Sequence, residues 1–164
     1  MLRLLLALGA IVWFAESATP RAHTAPYTIA DIRAHLYYQE SGTFDTTNIT
    51  SEASPTLWNT IIGEGGAKSP SGATLVLVRV DGSWLSGAHP PRLRVTVRGD
   101  SGGPVLLQQT ATLSALFTER PSVWVPFIAF GTGCRVVRVS PALLDARGGT
   151  QSTLERSIPF ECGE

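Results

Sequence analysis

Charge is scarce in this sequence. Charged residues make up 16% of the 164 residues, against roughly 25% in an average soluble domain. That scarcity suits a sheet protein whose exposed positions are filled by Thr, Ser and Gln. Net charge is missing altogether: 13 basic and 13 acidic residues cancel, and losing Arg3 and Glu16 with residues 1–17 leaves the balance at zero. A nucleic-acid partner needs a basic excess gathered on one face, so that class is excluded. Lysine is nearly absent, Lys68 being the one lysine among these basic residues. The three histidines, His23, His35 and His89, show no metal spacing, and no run of alternating oxygen ligands exists for calcium. Neither a metal nor a cofactor is expected. No apolar run approaches the roughly 20 residues that cross a bilayer as a helix.

What is present at the N-terminus is an address. Met1-Leu2-Arg3 is a short positive start, Leu4 to Phe14 is unbroken apolar sequence, and Ala15, Ser17 and Ala18 are small. This is the anatomy of a secretory signal peptide cleaved after Ser17. Residues 18–26 then read as a flexible leader, and 27–164 as one domain. The expected location is secreted or periplasmic, with no transmembrane segment left after cleavage. Export makes the two cysteines readable, because outside the cytoplasm an even pair oxidises. Cys134 and Cys162 lack C-x-x-C spacing and a nearby histidine, which argues against a redox or zinc pair. Joining them closes a loop of about 29 residues and stabilises the fold by about 3–4 kcal/mol in the chain-entropy model.

The body of the chain alternates. Ile32, Ala34, Leu36 and Tyr38 interleave with Arg33, His35, Tyr37 and Gln39, a strand with one buried face. Residues 44–49 read as a second short strand, whereas 55–62 fit a helical turn or a strand equally. Residues 63–72 form a loop rich in Gly, Pro and Ser. Thr74 to Val80 is apolar on both faces and belongs in the middle of a sheet. Residues 83–91 are a loop. Arg92 to Arg98 places Leu93, Val95 and Val97 inward and Arg92, Arg94, Thr96 and Arg98 outward. A turn at 99–103 leads to one or two strands within 104–116, followed by strands at 123–130, 134–139 and 157–161. Seven or eight short strands with frequent turns predict an all-β, antiparallel β-sandwich, immunoglobulin-like or similar. Its expected core is Leu36, Leu75, Leu77, Val78, Val95, Val97, Leu107, Trp124, Phe127 and Val136.

Three segments look like known sites. Gly99-Asp100-Ser101-Gly102-Gly103-Pro104 is identical to the segment around the nucleophile of chymotrypsin-like serine proteases, and resembles it over these six residues alone. The resemblance implies Ser101 as nucleophile, with His35 and Asp81 completing a triad in chain order. The same six residues also suit a tight reversal between strands 92–98 and 104–110. About 80 residues lie between the cleavage point and Ser101, short for the two barrels of that family, and neither His35 nor His89 sits in an Ala-Ala-His-Cys context. Gly65-Gly66-Ala67-Lys68-Ser69 resembles a phosphate-binding loop, but Ile62 and Ala67 stand where that pattern needs glycine, and Pro70 bars the following helix. Asn48-Ile49-Thr50 matches a glycosylation acceptor.

The remaining candidates are binding residues. Trp58 and Glu64 lie in a long loop on a sheet scaffold, where binding groups gather. Trp84 is an indole in a Gly/Pro-rich turn, suited to stacking on a sugar or anchoring a partner. Arg92 and Arg94 share a strand face with Arg98 and suit sulfate, phosphate or an acidic polymer. The leading expectation is therefore a non-catalytic, exported binding module for an unidentified protein or glycan. A small serine hydrolase using Ser101 and a structural domain of an envelope assembly are the alternatives.

Overall fold

A computed structural model describes residues 27–82, 90–100, 102–113 and 121–163. The expected signal peptide (1–17), the leader (18–26), Trp84, His89 and Ser101 lie outside the described residues. The described chain is an antiparallel β-sandwich. Its strands are β1 (Tyr27–Tyr38), β2 (Thr43–Phe44), β3 (Ala73–Gly82), β4 (Arg92–Gly99), β5 (Val105–Thr112), β6 (Ser122–Phe130), β7 (Val137–Leu144), β8 (Thr150–Thr153) and β9 (Arg156–Ile158). One sheet runs β2-β1-β3-β6; the other runs β5-β4-β7-β8, with β9 also on β7. Setting β2 aside, β1-β3-β6 faces β5-β4-β7-β8, a sandwich of two antiparallel sheets of the immunoglobulin-like kind. No helix among the described residues is long and apolar enough to cross a membrane.

The core follows from period-two alternation on each inner face. β3 contributes Val76, Val78 and Val80, β4 contributes Leu93, Val95 and Val97, and β7 contributes Val137, Val139 and Leu143, all buried. β1 needs a correction of phase. Tyr27 and Ile29 face inward, as do Ile32, Ala34 and Leu36, which regular alternation forbids. A bulge between Ile29 and Asp31 inserts the extra residue that reconciles them. The Asp31 carboxylate secures it by accepting from the Ile32 N–H at 2.8 Å.

Several sequence expectations shift. Leu75, Leu77, Trp124 and Val136 are only half-buried, not core, and Leu107 is half-buried but packs against the core. In β3 both faces are apolar, and the structure turns the valines in and the leucines out. Val136 stands just outside the ladder, and Val137 takes the inward position. The strand expected over 44–49 is two residues long. The segment after it still covers β1, irregularly: Asp45 and Ile49 N–H groups donate to Leu36 and Ala34 carbonyls, and Asn48 Oδ1 accepts from Ala34 N–H. Asn48 and Thr50 thus serve the strand edge, since the Thr50 hydroxyl reaches Ile32 O at 3.0 Å.

The strand expected at 134–139 begins at Val137 and runs to Leu144 through Pro141. Pro141 O accepts from Leu154 N–H. In an antiparallel strand the N and O of one residue point the same way, so the missing proline donor faces the gap between β8 and β9. The pairing with β4 is untouched.

The tail is held twice. Cys134 and Cys162 are disulfide-bonded with Cα atoms 4.8 Å apart. Residues 161–163 also lie parallel to 57–59: Glu161 N–H donates to Leu57 O, and Asn59 N–H to Glu161 O, both at 2.9 Å. The Asn59 side chain continues the ladder to Gly163. Opposite it, Gly133 adopts φ 107° with no room for a Cβ, which would meet Ile61 Cγ2 at 2.8 Å and Thr60 Oγ1 at 2.9 Å. We expect joint Cys134→Ser and Cys162→Ser replacement to lower unfolding free energy by about 3–4 kcal/mol, read as a fall in the urea midpoint. Gly133→Ala costs at least about 1–3 kcal/mol by steric overlap and backbone strain.

Candidate functional site

The loop expected to carry binding groups also clamps the C-terminal segment. Trp58 is 39% exposed and lies against Gly163, whose Cβ, if present, would be 3.0 Å from the indole Nε1. Glu64 accepts from the Asn59 side-chain amide at 2.9 Å, steadying the residue that grips the tail. A second anchor joins the loop to β1. Tyr38 O–H donates to Asp45 Oδ2 at 2.7 Å, Thr47 N–H to Asp45 Oδ1 at 2.8 Å, and Lys68 Nζ lies 3.0 Å from Asp45 Oδ2. Lys68 N–H in turn donates to Tyr38 Oη. Burial alone raises the Asp45 pKa, but the Thr47, Tyr38 and Lys68 hydrogen bonds outweigh it, and the carboxyl is held well below its ordinary value.

The arginine strand gives a different picture. β4 alternates as the sequence indicated, so Arg92, Arg94, Thr96 and Arg98 stand on the outer face of the second sheet. The register places Ser140 opposite Thr96, Ala142 opposite Arg94 and Arg138 opposite Arg98 on β7. Small side chains on β7 beside long ones on β4 leave a trough. The break at Leu154 and Glu155 between β8 and β9 deepens it into a groove of about 670 Å³, walled by Arg94, Thr96, Arg98, Ser140, Leu154 and Glu155.

Charges in and beside this groove are unequally satisfied. Arg138 is bound on both sides, to Asp100 Oδ1 at 2.9 Å and Glu155 Oε1 at 3.2 Å. Ser140 donates to the other Glu155 oxygen. The side chains of Arg92, Arg94 and Arg98 take part in none of the ion pairs or side-chain hydrogen bonds formed among the described residues. Four guanidinium groups thus face two carboxylates, both carboxylates being engaged by Arg138. Planar, permanently charged guanidinium groups flanked by hydroxyls can hold an oxyanion.

Of the residues of the hydrolase alternative, His35 and Asp81 do not meet, and Ser101 lies outside the described residues. His35 and Asp81 both lie on the first sheet, but His35 pairs with Leu75, six residues from Asp81 along β3, about 20 Å away. Asp81 is engaged by Ser122 and Arg79. Asp100, beside Ser101 in sequence, follows β4 on the second sheet and is held by Arg138. Sequence reasoning missed Ser140, Leu154 and Glu155 because the expected strands ended at Val139 and resumed at Ser157, leaving all three between them.

No protein-family model matches the chain, and no curated protein matches it. Among solved structures, a β-glucuronidase from Bifidobacterium dentium is similar at a TM-score of 0.44 and 11% identity, over 83% of this chain and 18% of that one. A putative β-galactosidase from Bacteroides fragilis is similar at a TM-score of 0.48 and 12% identity, over 84% and 18%. The chain therefore spans under a fifth of either protein, and no residue role follows from likenesses this remote.

The Asp45 anchor makes stability depend on acid. Its folded pKa is depressed, so the stabilisation is complete above the unfolded value near 4 and falls away as pH drops through the folded value. We expect Asp45→Asn to cost about 2–3 kcal/mol at neutral pH, and the difference from wild type to shrink progressively below about pH 4 in urea titrations. A difference that stays constant down to pH 2 contradicts the assignment.

Proposed function

We propose that the chain is an exported, non-catalytic β-sandwich that works by binding, and that the Arg94–Arg98 groove takes an oxyanion-bearing polymer. The observation that carries this reading is the contrast within one face: Arg138 has two acid partners, whereas Arg94 and Arg98 have none among the described residues. Neutralised guanidinium groups hold structure together; unneutralised ones beside a groove are free to engage a sulfate, phosphate or carboxylate. Arg92, two residues before Arg94, extends the positive row along the strand. The scaffold is rigid, since β4 is paired on both sides. Formation of the Cys134–Cys162 bond supports an oxidising, extracytoplasmic setting.

The test is retention on an immobilised heparin-type sulfated polysaccharide. Wild type should be retained at low salt and released as salt screens the contact. Arg94→Ala with Arg98→Ala should weaken affinity about tenfold per guanidinium removed, with the urea midpoint unchanged. Co-elution of the double variant with wild type overturns the reading. A fluorophosphonate probe separates it from the hydrolase alternative: the expected outcome is no labelling at Ser101, and stoichiometric labelling there replaces binding with catalysis.

A further inference from the structure

Among the described residues, four strand edges end these two sheets, and three are protected against pairing with another chain. β1 is covered by the two-residue β2 and by Asp45, Asn48, Ile49 and Thr50. β6 carries the exposed Pro126 at its midpoint, which cannot donate to an added strand. The β8–β9 edge is short, interrupted at Leu154 and Glu155, and charged at Arg156. These are the devices by which sheet proteins blunt their edges.

β5 has almost none of them. Val105–Thr112 is eight residues long, carries neither charge nor proline, and among the described residues pairs on one side only, with β4. Its single irregularity is a bulge at the N-terminal end, between the Val97–Leu107 and Arg98–Val105 pairs. From Leu107 onward the strand is regular. Val105 is 46% exposed, and Phe130, on the neighbouring end of β6, is 55% exposed.

The strand is also complementary to itself. A two-fold axis normal to the sheet at Gln109 sets Gln109 against Gln109 of a second copy, Leu107 against its Ala111, and Gln108 against its Thr110. Large side chains then meet small ones, amide meets amide, and no like charges are opposed. We propose that β5 pairs antiparallel with β5 of a second copy of this chain, joining two β5-β4-β7-β8 sheets into one. The uncharged strand favours this occupant over a charged peptide, which would find no ion-pair partner along it.

The experiment uses the full chain purified after export, with both native cysteines bonded. Sedimentation should show a monomer–dimer equilibrium as concentration rises. Gln109→Lys places like charges face to face at the axis and should weaken the dimer at least about tenfold. Gln109→Cys should yield a covalent dimer on mild oxidation, and Thr150→Cys, on the far edge of the same sheet, should not. A wild type that stays monomeric up to its solubility limit overturns the proposal. So does equal cross-linking by Gln109→Cys and Thr150→Cys.

Discussion

The parallel contact between residues 57–59 and 161–163 is the constraint on which most of this structure rests. Two backbone hydrogen bonds and the two-way Asn59–Gly163 contact place Cys162 beside Cys134, and the disulfide makes the placement permanent. With the tail held, β9 is drawn onto β7. β8 pairs farther along the same strand, so Leu154 and Glu155 must bridge the two, and their departure from the ladder opens the groove. Loop 58–72 is ordered by the same contact from the other side. The features that looked separate in the sequence (the loop, the late cysteine, the arginine strand) are thus mechanically linked.

Electrostatics here is local and not global. A chain with zero net charge has no long-range field to steer a polyanion, and most of its ion pairs are partly exposed and individually weak. The exceptions do specific work. Asp45, with its side chain 3% exposed, is neutralised by Lys68 and satisfied by Tyr38 and Thr47, as a buried carboxylate must be. Arg138 joins the 99–103 turn to the β8–β9 break. Among the described residues, the Arg92, Arg94 and Arg98 side chains form a row without ion-pair partners on the outer face of β4.

The sandwich class, the disulfide and the orientation of Arg92–Arg98 were legible because each rests on a pattern that survives any neighbour: spacing of turns, parity of cysteines, strict alternation. The core was half legible. β3 is apolar on both faces, so parity alone does not say whether Val76 and Val78 or Leu75 and Leu77 turn inward; the opposing sheet decides. β7 runs on past the expected end at Val139, through a proline at position 141 that the strand tolerates because its missing donor faces the β8–β9 gap. Segment 44–49 read as a strand and does lie along β1, although side chains replace much of its ladder. The groove needed residues from three strands far apart in sequence, which no local pattern connects.

The bulge near the start of β1 has an evolutionary corollary. Because Ala30 is the surplus residue between two in-phase halves, deleting it restores simple alternation and keeps Tyr27, Ile29 and Leu36 on the inner face. Deleting any residue from 33 to 35 instead turns one half of the strand inside out. Length variation among homologues should therefore be tolerated at position 30 and purged a few residues later, leaving a gap whose placement reports the architecture.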